Sequence, residues 1–237
     1  MEAICKAAVI QKAAELTDGE LALINAQALR PMAADEVFAF KLAACDDQID
    51  RDYERFTVGA LEEMAKLFVG KPVLRDHRWA SSCQAARVYA AEVEDAGVRK
   101  RLILRCYMPR TEGTAETITA IESGVIRECS VGVRVGSSTC SICGAVQQKV
   151  MCVHWPGKEY DGKMCHFDLD LIRDVYEVSL VAVPAQPAAG VLKSKRYGGP
   201  DSHETGEEPP HSDDGKALQR AKALLELEKI RYDNGGN

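Results

Sequence analysis

IRECSVGVRV, residues 126–135, is the stretch whose reading decides the fold of this chain. Its side chains alternate with a period of two. Cys129, Val131, Val133 and Val135 fall on one face, and Glu128, Ser130, Gly132 and Arg134 fall on the other. This is the pattern of a β-strand whose apolar face turns toward a core. Ser130 then stands on the polar face. Gly132 next to it has no side chain and leaves room for another backbone to approach. An isolated serine in such a place is ordinarily a solvent-facing strand residue, so its meaning depends on what the rest of the chain brings to it.

Immediately upstream, residues 113–123 have helical spacing, with Ile118 and Ile121 inward and Gly124 at the C-terminal end. Before them, residues 86–93 and 101–108 alternate on either side of Asp95-Ala96-Gly97 and read as a β-hairpin. Thr57 caps a helix running to about Val69, stopped by Gly70 and Pro72, and a short strand at Val73-Leu74 delivers Asp76-His77. Residues 37–45 form another strand, with Phe38, Phe40 and Leu42 on one face. Residues 1–34 read as a somewhat detached helical extension, with Thr17 and Glu20 spaced as a capping box.

Downstream, residues 137–168 break the pattern with cysteine, glycine and lysine and read as an insertion. The last strand region, residues 169–183, places Tyr176, Val178, Leu180 and Ala182 on an apolar face, with Glu177 and Ser179 opposite. Residues 196–215 read as an acidic flexible linker, and 216–237 as a C-terminal amphipathic helix with Leu218, Ala221, Leu224 and Leu225 on one side.

A chain of 237 residues with 46% hydrophobic and 28% charged residues can bury a substantial core. Its net charge of −6 offers no basic field for nucleic acid. No apolar run approaches the roughly 20 residues that span a bilayer, and the N-terminus lacks a signal-peptide pattern. A soluble cytoplasmic protein is expected, without nucleic-acid or membrane partners. Nine cysteines, an odd number in a reducing compartment, point to free thiols and metal ligands rather than disulfides.

The metal ligands are expected in the insertion. Cys140 and Cys143 form a CxxC knuckle, and Cys152 with His154 supplies a second pair after a gap of eight residues. Three thiolates and an imidazole complete a closed tetrahedral set with no open position, which predicts a structural zinc site. Cys165 is the alternative to either member of the second pair. Cys5, Cys45, Cys83, Cys106 and Cys129 read as packing residues, with Cys129 an outside alternative as a thiol nucleophile.

Three polar residues in apolar settings remain: Ser130, His77 at a strand end, and Glu177. Each alone is ordinarily structural. Together they could supply a nucleophile, the base that takes its proton, and the carboxylate that orients the base.

The segments DDQIDRDYERF (46–56), LFVGKPVLRDH (67–77), IESGVIRECSVGV (121–133) and YEVSLVAVPAQP (176–187), in this order, resemble the prohead (capsid maturation) proteases of tailed bacteriophages. That family is similar in fold to the herpesvirus assemblin proteases. The principal domain is taken as 35–195, the extent of the family resemblance carried by these segments between 46 and 187. The resemblance implies an α+β fold, mainly an antiparallel β-barrel with flanking helices, and a serine endopeptidase with Ser130 as nucleophile, His77 as base and Glu177 as third member. Asp174 competes for the third role. The implied substrates are the phage capsid protein and scaffold, or the chain itself, inside an assembling procapsid in a bacterial cytoplasm, and a homodimer follows by the herpesvirus analogy. Two rival readings are a non-enzymatic head-assembly protein whose zinc module is an interaction site, and a zinc-dependent hydrolase.

Overall fold

The computed structural model describes residues 16–182, 186 and 190–191. The expected linker at 196–215, the helix at 216–237 and residues 1–15 of the extension lie outside the described residues.

The described chain forms α1 (Asp18–Asn25), β1 (Val37–Asp46), β2 (Glu54–Phe56), α2 (Val58–Phe68), β3 (Pro72–Arg75), β4 (Gln84–Asp95) and β5 (Lys100–Pro109). It continues with α3 (Glu112–Glu122), β6 (Glu128–Cys140), β7 (Glu159–Tyr160), β8 (Lys163–Met164), β9 (Phe167–Val181) and β10 (Gly190–Val191). It is an α+β fold. Eight strands make one mixed sheet in the order β2-β9-β3-β4-β5-β1-β10-β6, and β6 also pairs with β9.

Most pairings are antiparallel, but β2 and β3 each run parallel to β9. The expected antiparallel β-barrel is not formed. Among the described residues, the only bridge between β1 and β6 is the two-residue β10, which meets β6 at Gly190 and Glu128 alone, so no continuous ladder closes the sheet there. No helix among the described residues is long and apolar enough to cross a membrane.

The core follows the expected periodicities. Phe38, Phe40 and Leu42 of β1 share a buried cluster with Cys129 of β6, and Val131, Val133 and Val135 pack against it. The Thr57 hydroxyl accepts the Ala60 amide and starts α2, which buries Leu61, Met64 and Phe68 beneath the sheet. Each of those three side chains contributes about 1.5–3 kcal/mol by leaving water.

The capping box at Thr17 and Glu20 is present, but α1 is not detached. Its Ile24 is fully buried with Val37, Ala39, Tyr89 and Tyr107, and Glu20 accepts from Tyr89 and Arg105.

The longest ladder joins β6 to β9 through twelve residue pairs, from Glu128↔Val181 to Cys140↔Phe167. It absorbs both ends of the expected insertion, because β6 runs on to Cys140 and β9 begins at Phe167. The excursion proper is residues 141–166, carrying the small β7–β8 hairpin.

Two bulges interrupt the ladder. At the first, Gly132 faces Glu177 and Val133 faces Val175, so Tyr176 is the extra residue. Tyr176 therefore leaves the expected apolar face and packs on Trp79, ring centroids 5.4 Å apart.

Candidate active site and metal centre

β3 and β9 set the first site. Their parallel pairing is continued by the Asp76 amide, which donates to the Leu180 carbonyl at 3.0 Å. The chain then turns sharply, with Asp76 at φ 55° and His77 at φ 52°, both in the left-handed region that side-chain-bearing residues rarely occupy. The turn brings the imidazole back over β9. His77 Nδ1 lies 2.8 Å from Glu177 Oε1.

Glu177 is only 2% exposed and is not the solvated strand charge that an isolated glutamate suggests. The His77 side chain is 43% exposed. One ring nitrogen thus faces a buried carboxylate while the imidazole as a whole remains accessible from outside. The paired carboxyl is Glu177 and not Asp174, which lies 47% exposed and 3.5 Å from Lys71 Nζ.

Ser130 reaches this place from the neighbouring strand. It pairs directly with Ser179, and Gly132 pairs with Glu177, so all four residues share one face of the ladder. Directly paired Cβ atoms stand about 4.5–5.5 Å apart. Among the described residues, His77 bonds to Glu177 and to Ser179, and no hydrogen bond joins it to Ser130.

Gly132 serves a different purpose from the one its sequence suggests. A Cβ there would run into the Glu177 carboxylate, so the space is kept for a side chain and not for a backbone. Ser179, fully buried, donates to Glu177 Oε2 at 2.5 Å and accepts the His77 amide at 3.0 Å. Its role was not visible in the sequence beyond its spacing of two from Glu177. Cys129 is fully buried on the core face, and burial pushes its thiol far above the ordinary range, which removes it as a nucleophile. Arg134 is exposed and lies opposite Asp174.

The second site lies at the other end of the same ladder. The ligand atoms of Cys140, Cys143, Cys152 and His154 all lie within 4.8 Å of one another. The knuckle forms because the Gly144 amide donates to the Cys140 carbonyl at 2.9 Å, with Gly144 at φ 71°. Burial pushes the Cys140 thiol up, but the Cys143 and Ile142 amides aimed at its sulfur outweigh this and lower it. The Cys152 thiol is lowered first by the His154 amide.

His154 Nδ1 is buried without a hydrogen-bond partner, which suits it to a metal ligand. Three sulfurs and this nitrogen fit a tetrahedral metal ion. Cys165 stands close by: its Sγ is 4.0 Å from that of Cys140, near the roughly 3.8 Å edge of a tetrahedron with 2.3 Å metal–sulfur bonds. Burial pushes its thiol up to about 11.

The two sites are far apart. Ser130 and Cys140 are ten residues apart on one strand, about 33 Å at 3.3 Å per residue.

Comparison with protein-family models, curated proteins and solved structures found no match to this chain.

Proposed function

We propose that this chain is a serine endopeptidase in which Ser130 attacks the scissile carbonyl, His77 takes and returns the proton, and Glu177 orients the imidazole. The observation that carries this reading is the 2.8 Å contact of His77 with a buried Glu177, on the sheet face that also bears Ser130. A carboxylate so buried accepts Nδ1–H, fixes the tautomer, and leaves Nε2 as the free base for a serine hydroxyl. Attack forms the Oγ–carbon bond of an acyl-enzyme and releases the amine, which takes the proton from His77. Water then hydrolyses the ester by the same base.

The narrower reading is a prohead protease of the assemblin-like type, cutting capsid protein, scaffold or itself within a procapsid. It rests on the four ordered segments that resemble that family. In the same reading the metal is a structural zinc held by Cys140, Cys143, Cys152 and His154, with Cys165 as the substitute ligand. When bound, zinc supplies cross-linking of the 141–166 excursion. Its distance of about 33 Å along β6 from Ser130 speaks against a zinc-dependent hydrolase using both sites.

One observation favours the non-enzymatic head-assembly reading: Ser130 and His77 share no hydrogen bond. Catalytic contacts often tighten only when substrate is bound, so this does not outweigh the buried pair.

The test is intact mass over time for the wild type, Ser130→Ala, His77→Ala and Glu177→Gln, alone and with capsid-protein or scaffold fragments. Site-specific cleavage by wild type only is the expected result. No cleavage by any of the four, of themselves or of the fragments, refutes the endopeptidase.

A further inference from the structure

We propose that Ser179 is the positioning residue of this site, holding the His77 backbone and the Glu177 carboxylate with one hydroxyl. The proposal rests on the reading of Ser130, His77 and Glu177 as a triad, and it adds what keeps the triad in register.

The Ser179 hydroxyl has a single proton to donate. Ser179 Oγ accepts the His77 amide at 3.0 Å, so its lone pair there is taken and its own proton must go elsewhere. Glu177 Oε2 lies 2.5 Å away and receives it. The other carboxylate oxygen, Oε1, is then the one left to accept Nδ1–H from His77 at 2.8 Å.

The three bonds close a circuit: His77 amide to Ser179, Ser179 to Glu177, Glu177 to the His77 ring. Both ends of the same histidine are tied to one buried pair. The tie helps hold His77 at φ 52°, a conformation that a residue with a Cβ adopts only at an energetic cost. Gly132 completes the cradle by leaving the carboxylate its space. Ser179 is fully buried and hydrogen-bonds to the His77 amide and to Glu177 Oε2, so it acts through those two residues.

Replacing Ser179 with alanine removes one acceptor and one donor at once. The His77 amide loses its anchor, and Glu177 Oε2 is left without a donor in a dry site. The carboxylate is then free to turn, and the imidazole is no longer restricted to one tautomer.

Two measurements read this. The first is the rate at which a fluorophosphonate labels Ser130, a reaction that forms an Oγ–P bond, expels fluoride and passes the serine proton to His77. The second is the ¹⁵N spectrum of the His77 ring, which reports the nitrogen that carries the proton. Wild type is expected to show the proton on Nδ1. Ser179→Ala is expected to show a mixture of tautomers and labelling slowed about 100-fold, the effect of a displacement near 1 Å. Ser179→Thr, which keeps the hydroxyl, is expected to restore the Nδ1 tautomer.

A wild-type proton on Nε2, or an unchanged spectrum in Ser179→Ala, overturns the proposal even if labelling slows, because a general loss of stability would not move the tautomer. Wild-type labelling at the unreactive rate of a free serine instead overturns the triad reading. The spectra then still decide whether Ser179 positions the pair.

Discussion

Gly132→Ala is the sharpest perturbation of the site. The added Cβ would overlap Glu177 Oε1 and lie 3.2 Å from Cδ and 3.4 Å from Cγ. The carboxylate is the end of a side chain and could swing aside elsewhere, but here it is buried and bonded on both oxygens. Normal van der Waals separation requires it to withdraw by roughly 1 Å. A shift of that size in Oε1 takes the 2.8 Å contact with His77 out of hydrogen-bonding geometry, in distance or in angle.

A base that has lost its orienting carboxylate costs on the order of 10²- to 10⁴-fold in rate. The accompanying strain costs about 1–3 kcal/mol of stability. Fluorophosphonate labelling of Ser130 measures the first and urea unfolding the second. Gly136→Ala is the control, because its Cβ would meet the Leu171 carbonyl and Arg173, away from Glu177. It is expected to lower stability and leave labelling near wild type. Wild-type labelling in folded Gly132→Ala would refute the reasoning.

Glu177→Gln should slow labelling of Ser130 at least 100-fold, whereas Asp174→Asn should leave it within about twofold, since Asp174 lies against Lys71. Equal losses in the two would return Asp174 to the site. Elemental analysis should find one zinc per chain, and chelation or Cys143→Ser should lower the melting temperature while leaving the labelling rate unchanged. A parallel loss of labelling would show that the two ends of β6 are coupled. Burial pushes the Glu20 carboxyl up, but the Thr17 amide and hydroxyl, the Tyr89 hydroxyl and Arg105 outweigh it and hold it below the usual range. A carboxyl lowered by folding contributes stability above its unfolded value and loses it as pH falls through the folded one. The stability gap between wild type and Glu20→Gln should therefore stay level from neutral pH down to the ordinary glutamate value of about 4.3 and narrow below it in urea titrations.

What could be read from the sequence was what depends on local alternation. The split of Cys129, Val131, Val133 and Val135 from Ser130 and Gly132 survives in the folded sheet, as do the Thr17 and Thr57 caps and the Ile118–Ile121 stripe. What could not be read depends on partners distant in the chain. The parallel runs of β2 and β3 beside β9 leave no local mark, because each strand is compatible with either direction. The bulge at Tyr176 shifts the period by one residue, so an alternation carried straight through places that ring in the core when it lies on Trp79. From its sequence neighbours Ser179 is any polar strand residue; its role comes from the turn at His77, which brings an amide to it.

The β6–β9 ladder also bears on how the chain finds its fold. Ser130 and Ser179 are nearly fifty residues apart in sequence, and pairing them directly means closing a long loop before any cross-strand contact offsets the lost freedom. The Cys/His cluster lies just where that loop can be drawn in first. An ion gripping Cys140, Cys143, Cys152 and His154 gathers the segment next to the Cys140↔Phe167 pair, from which the two strands can zip toward Ser130 as a hairpin does. Should the cluster take up its ion early, metal supply would set the rate at which the ladder carrying the proposed site assembles.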